Sequence, residues 1–318
     1  GTYNLCKAEN YGKSPKSDYY IWEGSYDGYE LVLQNVDNLT IRGSGKISTV
    51  LETEPRWANI LRVRNSSNLT LAGFTAGHTR DRGECSGGVL YLEGCNVVMM
   101  EDLGLYGCGV IGLTTDLCSD VTLTGSDVYE CSSSAFNLKT SSNVTISGCR
   151  VYDIGLKEFG GYAFFEMSNC ENVVVDNNEL SASTLYHLLV SSGSQATFRN
   201  NLFTGNRARE SAFEIGGLRV TMDANRFEGN TIRSWYSGHG NLVVDKQGNT
   251  LSEEFLNEQY PGDSKQPTQP QLAIHVSTVD ELIAAIGPNT EIILDGEFYD
   301  FSDATGYGTS SSTYYYWE

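Results

Sequence analysis

Val98, Val121, Val144, Val173, Ala196 and Val220 head six copies of one short pattern, separated by 23, 23, 29, 23 and 24 residues. One copy reads Val121-Thr122-Leu123-Thr124-Gly125, and the next reads Val144-Thr145-Ile146-Ser147-Gly148. Short alternating apolar strands broken by Gly, Asn and Ser at this period predict a β-solenoid. Alternation places Val121, Leu123, Val144, Ile146, Val173 and Val175 inward, with Thr122 and Thr124 outward. A single coil cannot bury its apolar face alone, so coils stack and equivalent residues form ladders along the axis.

The ladders are legible. Cys95, Cys118 and Cys170 share one position, with Ser141 replacing Cys between them, and Cys108 and Cys131 share another. Asn178, Asn201 and Asn225 make an asparagine ladder at a turn, and Asn206 and Asn230 a second. The insertion 155–162 accounts for the 29-residue step. Five of the eight cysteines fall in the two cysteine ladders, where Cys behaves as a small buried hydrophobe. No CxxC pair is present, so no structural zinc site is expected.

The period, the Asn-x-Thr strand starts and the stacked Asn and Cys ladders resemble a right-handed parallel β-helix of the pectin-lyase-like superfamily over most of residues 19–250. The resemblance implies an all-β fold and leaves function open, because that superfamily holds lyases, hydrolases, adhesins and structural fibres.

The chain divides into a β-helix module at 1–252, a capping helix and linker at 253–271, and a segment at 272–318. The stretch 252–260 reads as a short helix with Ser252 as N-cap, placed to cover the open end of the solenoid. Thr278-Val279-Asp280-Glu281 is a capping box, Gly287-Pro288 ends that helix, and Glu291-Ile292-Ile293-Leu294 begins a strand. The chain then ends in Tyr314-Tyr315-Tyr316-Trp317-Glu318, echoing Tyr19-Tyr20-Ile21-Trp22-Glu23 at a distance of 295 residues. Two readings follow. The chain is an excerpt of a tandem array, with 272–318 supplying the N-terminal cap helix and first coil of a following module. Alternatively, 272–318 docks on the N-terminal end of another copy. The first is preferred, and the module echo extends the resemblance to repeat-built bacterial extracellular β-helix proteins.

The balance of 21 basic against 40 acidic residues, a net charge of −19, argues against nucleic acid and anionic membranes as partners. A polyanionic polysaccharide would need bridging Ca²⁺, and no other cofactor or metal is expected. No apolar run has membrane-spanning length and no signal peptide stands at Gly1, so a leader is expected to have been removed or to lie outside the sequence.

Tyr106, Tyr129 and Tyr152 occupy one position on three successive coils and face outward by alternation. Aromatic planes flanked by carboxylates suit the apolar faces of sugar rings; the competing reading is an aromatic ladder that only stabilises the sheet. Glu130 and Asp153 are equivalent on adjacent coils, with Asp127 and Arg150 beside them. They form an acid pair with an Arg clamp, a Ca²⁺ site, or, as preferred, a solvated face. The loop from His78 to Cys85 joins His, Asp81, Glu84, two Arg and Cys, a set fit for a metal or nucleophile site or for a polar insertion, the latter preferred. Gly238-His239-Gly240 resembles a glycosidase tripeptide but lacks that family's other motifs. The sequons at Asn38, Asn65, Asn68 and Asn143 are expected to be turn asparagines.

The expected function is a secreted or cell-surface, structural or adhesive β-helix, self-associating through 272–318 and binding carbohydrate through Tyr106, Tyr129, Tyr152, Asp127, Arg150 and His78. The alternative is a polysaccharide lyase or glycoside hydrolase using Glu130 and Asp153.

Overall fold

The computed structural model describes residues 1–14, 17–107, 109–217, 219–233, 235–238, 241–243, 272–277, 281, 285, 290–295 and 298–300. The helix expected at 252–260, the linker at 261–271, the tripeptide's His239 and Gly240, and the terminal Tyr-rich echo lie outside these residues.

Each coil contributes three short strands, seen in Ser119–Thr124, Asp127–Tyr129 and Ser134–Lys139. These belong to three mostly parallel sheets, here the first, second and third, so the chain winds as a right-handed parallel β-helix. The six anchors of the repeat are direct partners: Val98 pairs with Val121, Val121 with Val144, Val144 with Val173, Val173 with Ala196 and Ala196 with Val220. Val121, Leu123, Val144, Ile146, Val173 and Val175 are buried in one continuous core, as alternation requires. Phe136, Phe164, Phe165, Phe198, Phe203 and Phe213 fill its C-terminal half.

Tight turns between strands would strand backbone donors in the interior. The asparagine ladder satisfies them. Asn178 donates its backbone N–H to Asn201 Oδ1 at 2.9 Å, and Asn201 donates likewise to Asn225 Oδ1 at 2.9 Å. The amide nitrogens turn back to carbonyls of the preceding coil, Asn201 Nδ2 to Val175 O at 2.8 Å. The second ladder repeats the device, with Asn206 donating its N–H to Asn230 Oδ1 at 2.9 Å. The cysteine position mixes in serine: Cys118 N–H donates to Ser141 Oγ at 3.2 Å and Cys170 N–H to Ser194 Oγ at 3.0 Å. Cys95, Cys118, Cys131 and Cys170 are free and buried, as is Cys149, which occupies the asparagine ladder one coil before Asn178.

The sequon asparagines hold left-handed backbone, with φ of 57° at Asn38, 48° at Asn65, 54° at Asn68 and 54° at Asn143. One such turn position runs Asn35, Asn65, Gly94, Leu117, Thr140, Asn169, Gly193. Leu117 is the misfit, at φ 56° and 64 % exposed.

The segment near the C-terminus does not follow the last coil. Strand Thr290–Leu294 pairs with Asp37–Arg42 and strand Phe298–Asp300 with Thr2–Asn4, both parallel, at the N-terminal end of the same chain. The expected strand at Glu291–Leu294 is therefore present, extended to Thr290, and Glu281 and Ala285 are helical as the capping box implied.

Two substitutions test this account by thermal unfolding. Leu117→Asn relieves left-handed strain without removing buried surface and should raise stability by about 0.5–1 kcal/mol. Asn201→Ala orphans buried groups on two coils and should cost about 2–5 kcal/mol.

Candidate functional site

The second sheet carries the expected tyrosine stripe. Tyr106 and Tyr129 stack with centroids 5.4 Å apart and 15° between planes, Tyr129 and Tyr152 at 5.1 Å and 3°. Both faces of Tyr129 are thus covered by its neighbours. Tyr106 lies over Gly77, where an added Cβ would stand 2.2 Å from its ring. Tyr106 and Tyr129 therefore offer solvent mainly ring edges and hydroxyls, and burial pushes all three phenols above their ordinary titration range. Sugar stacking needs open faces.

Asp127, Arg150 and Asp153 beside the stripe are paired internally. Arg150 grips Asp127 through both oxygens, at 2.8 and 2.7 Å, and Lys46 Nζ stands 3.3 Å from the same carboxylate. Asp153 is paired with Arg82 at 2.9 Å. Glu130 and Asp153 sit at equivalent left-handed turn positions, with φ of 59° and 56°. His78 is buried in the wall, its Nε2 2.9 Å from the Ala58 carbonyl, and burial lowers its pKa. Cys85 is disulfide-bonded, so the loop after His78 presents no thiolate there. Among the described residues no group of three His, Cys, Asp or Glu side chains is arranged to hold a metal ion.

That loop has a different role. Arg82 reaches across to donate to the carbonyls of Asp153 and Gly155, the base of the 155–162 insertion. From the other side Arg209 donates to the carbonyls of Lys157, Glu158 and Phe159, at 3.2, 2.8 and 3.0 Å. Two guanidiniums thus clamp one surface loop by its backbone. The clamped loop holds out Phe159, 67 % exposed, and Tyr162, 38 % exposed.

Beneath the loop the third sheet departs from its pattern. Its strands lengthen to Thr184–Ser192 and Arg207–Gly216, and the register slips between Leu185 and His187. The bulge places Arg209 and Glu210 where one residue would stand, and bulges re-aim side chains in this way. His187 is buried, with Nδ1 2.9 Å from Ser211 Oγ and Nε2 3.1 Å from Glu214 and 3.5 Å from Glu210. Tyr162 packs edge-on against the His187 ring at 5.8 Å. Burial, then Glu214, Glu166 and Glu210, push its phenol pKa up. Glu166 accepts a hydrogen bond from Ser134, and burial raises its pKa above the ordinary carboxylate value. Exposed Tyr186 completes the rim.

Sequence reasoning passed over this corner entirely. The signals were present: the one 29-residue step among steps of 23 and 24, and aromatic and acidic residues in the three third-sheet strands that follow it. No period could show that three coils bring them together, because the bulge breaks the equivalence on which ladder reading depends.

Comparison with known proteins agrees with the fold. The family model described as a right handed beta helix region matches residues 26–203 and 87–256. A search of the curated proteins finds no match. An alginate lyase from Paenibacillus sp. str. FPU-7 superposes with a TM-score of 0.50 at 14% identity, covering 70% of this chain and 88% of the lyase. A tailspike of Acinetobacter phage vb_AbaP_AS12 has a TM-score of 0.43 at 9% identity, covering 80% of this chain and 63% of its own. A surface adhesin of Streptococcus pneumoniae has 0.35 at 10%, covering 79% and 80%. At such identities the likeness concerns the fold alone.

Glu166 gives the site a pH signature. A carboxyl whose folded pKa is raised binds its proton more tightly folded than unfolded. Its stability contribution is therefore complete below the unfolded value of about 4.5 and is lost as pH rises through the folded one. Glu166→Gln keeps the oxygen that accepts from Ser134, so it should raise the melting temperature at pH 7 and leave it nearly unchanged at pH 4.

Proposed function

The chain belongs to the right-handed β-helix family, and from that premise we propose that it is an extracellular or cell-surface glycan-binding protein. Its binding site is the His187 corner. The observation that carries this is the arginine-clamped loop, which holds out exposed Phe159 and sets Tyr162 against His187, itself bonded to Ser211 and close to Glu210 and Glu214. Open aromatic planes take the apolar faces of sugar rings, while carboxylates accept from their hydroxyls. Loops fixed on a rigid scaffold are where such recognition concentrates. The clustered carboxylates and the net charge of −19 favour a neutral or amino-sugar polysaccharide over a polyuronate. The tyrosine stripe, with both faces of its central ring taken by stacking, is assigned to stabilising the second sheet.

One observation favours a second reading, glycoside hydrolysis. Glu166 pairs with Val190 and Val190 with Glu214, so the two carboxylates are two coils apart, roughly 10 Å between backbones. An inverting hydrolase holds its acid and base about 6.5–9.5 Å apart and needs the acid protonated, as burial of Glu166 favours.

A polysaccharide panel scored for bound protein and released reducing ends tests both readings. Tyr162→Ala should weaken binding of a retained glycan at least tenfold, whereas Tyr129→Ala should leave it within about twofold at equal folded fraction. The reverse order would move the site to the stripe. Reducing ends that disappear in Glu166→Gln would select hydrolysis.

A further inference from the structure

The N-terminal end of the solenoid is closed by a segment that the chain has carried back from the far end. At this end the third sheet is finished by Tyr20–Gly24, which folds antiparallel onto Tyr29–Gln34. The first and second sheets are finished by 272–300. Thr290 pairs with Leu39 and Ile292 with Ile41; Tyr3 pairs with Tyr299 and Asn4 with Asp300. Strand Leu272–Val276 adds a further layer on Thr290–Leu294. Val276, Ala285 and Ile292 are buried in the common core. The segment is thus an extra coil that supplies apolar cover and backbone partners to two sheet edges, the cover such edges require against pairing with other chains.

The geometry of the return is loose. In the first sheet ten strand spacings separate Asn241–Val243 from Leu272–Val276, about 48 Å at 4.8 Å each. The 28 residues 244–271 join the two, and fully extended they reach about 95 Å. Nothing in the pairing depends on the tether. The bonds from 290–294 to 37–42 and from 298–300 to 2–4 are the same whichever chain supplies the strands. The cap is also like what it covers: Tyr299-Asp300-Phe301 resembles Tyr3-Asn4-Leu5, with Tyr299 paired to Tyr3.

We propose that 272–300 is an exchangeable end cap, and that the edge formed by strands 2–4 and 37–42 accepts it from a second copy of this chain, joining copies head to tail. The mode is strand addition to a sheet edge. Because the cap's tether leaves the last coil while the accepting edge is at the first, the contact is heterologous and propagates into chains. At low concentration the chain's own cap wins, since a tethered segment competes at an effective concentration of about millimolar order.

Shortening the tether decides the matter. Deleting residues 249–268 leaves eight linking residues that reach about 27 Å, too short for the 48 Å return. Under size exclusion with light scattering at micromolar protein, the deletion variant should run at twice the monomer mass or more, while the full chain runs as a monomer. Adding Ile292→Asp, which puts a charge into the buried cap contact, should return the deletion variant to monomer. A monomeric deletion variant would overturn the proposal, as would oligomers that persist with Ile292→Asp. The full chain gives a second readout that does not depend on the deletion. Two fluorescently labelled pools, mixed, unfolded and refolded together at about millimolar protein, should yield species carrying both labels. Their absence would equally overturn it.

Discussion

Everything in this molecule rests on stacking one coil on the next at a fixed spacing, with side chains repeating the backbone's hydrogen bonding where the chain turns. Between strands the backbone bonds itself to the neighbouring coil. At turns it cannot, and there Asn178, Asn201 and Asn225 pass one donor and one acceptor from coil to coil. The same economy explains the Ser and Cys of the other turn, where a small buried side chain fits and Ser141 or Ser194 supplies the acceptor. The left-handed positions filled by Asn35, Asn65 and Asn169 complete the corners. Once these corners hold, apolar residues on three sheets need only be inward and of moderate size.

That logic makes the scaffold readable and the site obscure. Position along a repeat determines partners, so Val98, Val121, Val144, Val173, Ala196 and Val220 could be placed from spacing alone, and each proves bonded to the next. The stripe of Tyr106, Tyr129 and Tyr152 was found by the same rule. The rule says which side chains adjoin but not what they do with their faces, and here the rings stack on one another. Asp127 and Arg150 were likewise placed correctly as neighbours, yet the pair neutralises itself. The His187 corner breaks the rule. A bulge shifts the register, an insertion lies over it, and Arg82 acts from a loop more than 70 residues earlier. Cys85 shows a related limit, since a single cysteine outside the repeat carries no sign of its disulfide.

The two ends of the solenoid pose one physical problem, an exposed stack of unpaired strand edges. The sequence announced a cap at 272–318 through its capping box and its echo of the N-terminal segment. Which edge it covers is a matter of reach and concentration, neither of which a repeat encodes. Covering the chain's own N-terminal edge is consistent with the pairing found at Ile41 and Tyr3, and it leaves the recognition proposed for the His187 corner independent of assembly.

The central claim is that ligand recognition belongs to the clamped loop rather than to the tyrosine stripe. Hydrogen exchange of backbone amides, with and without a glycan retained by the protein, tests it most directly. Slowed exchange confined to peptides spanning 155–162, 184–190 and 207–214, with 104–106, 127–129 and 150–152 unchanged, is the result this account predicts. Slowed exchange in the tyrosine strands with the loop unaffected would contradict it.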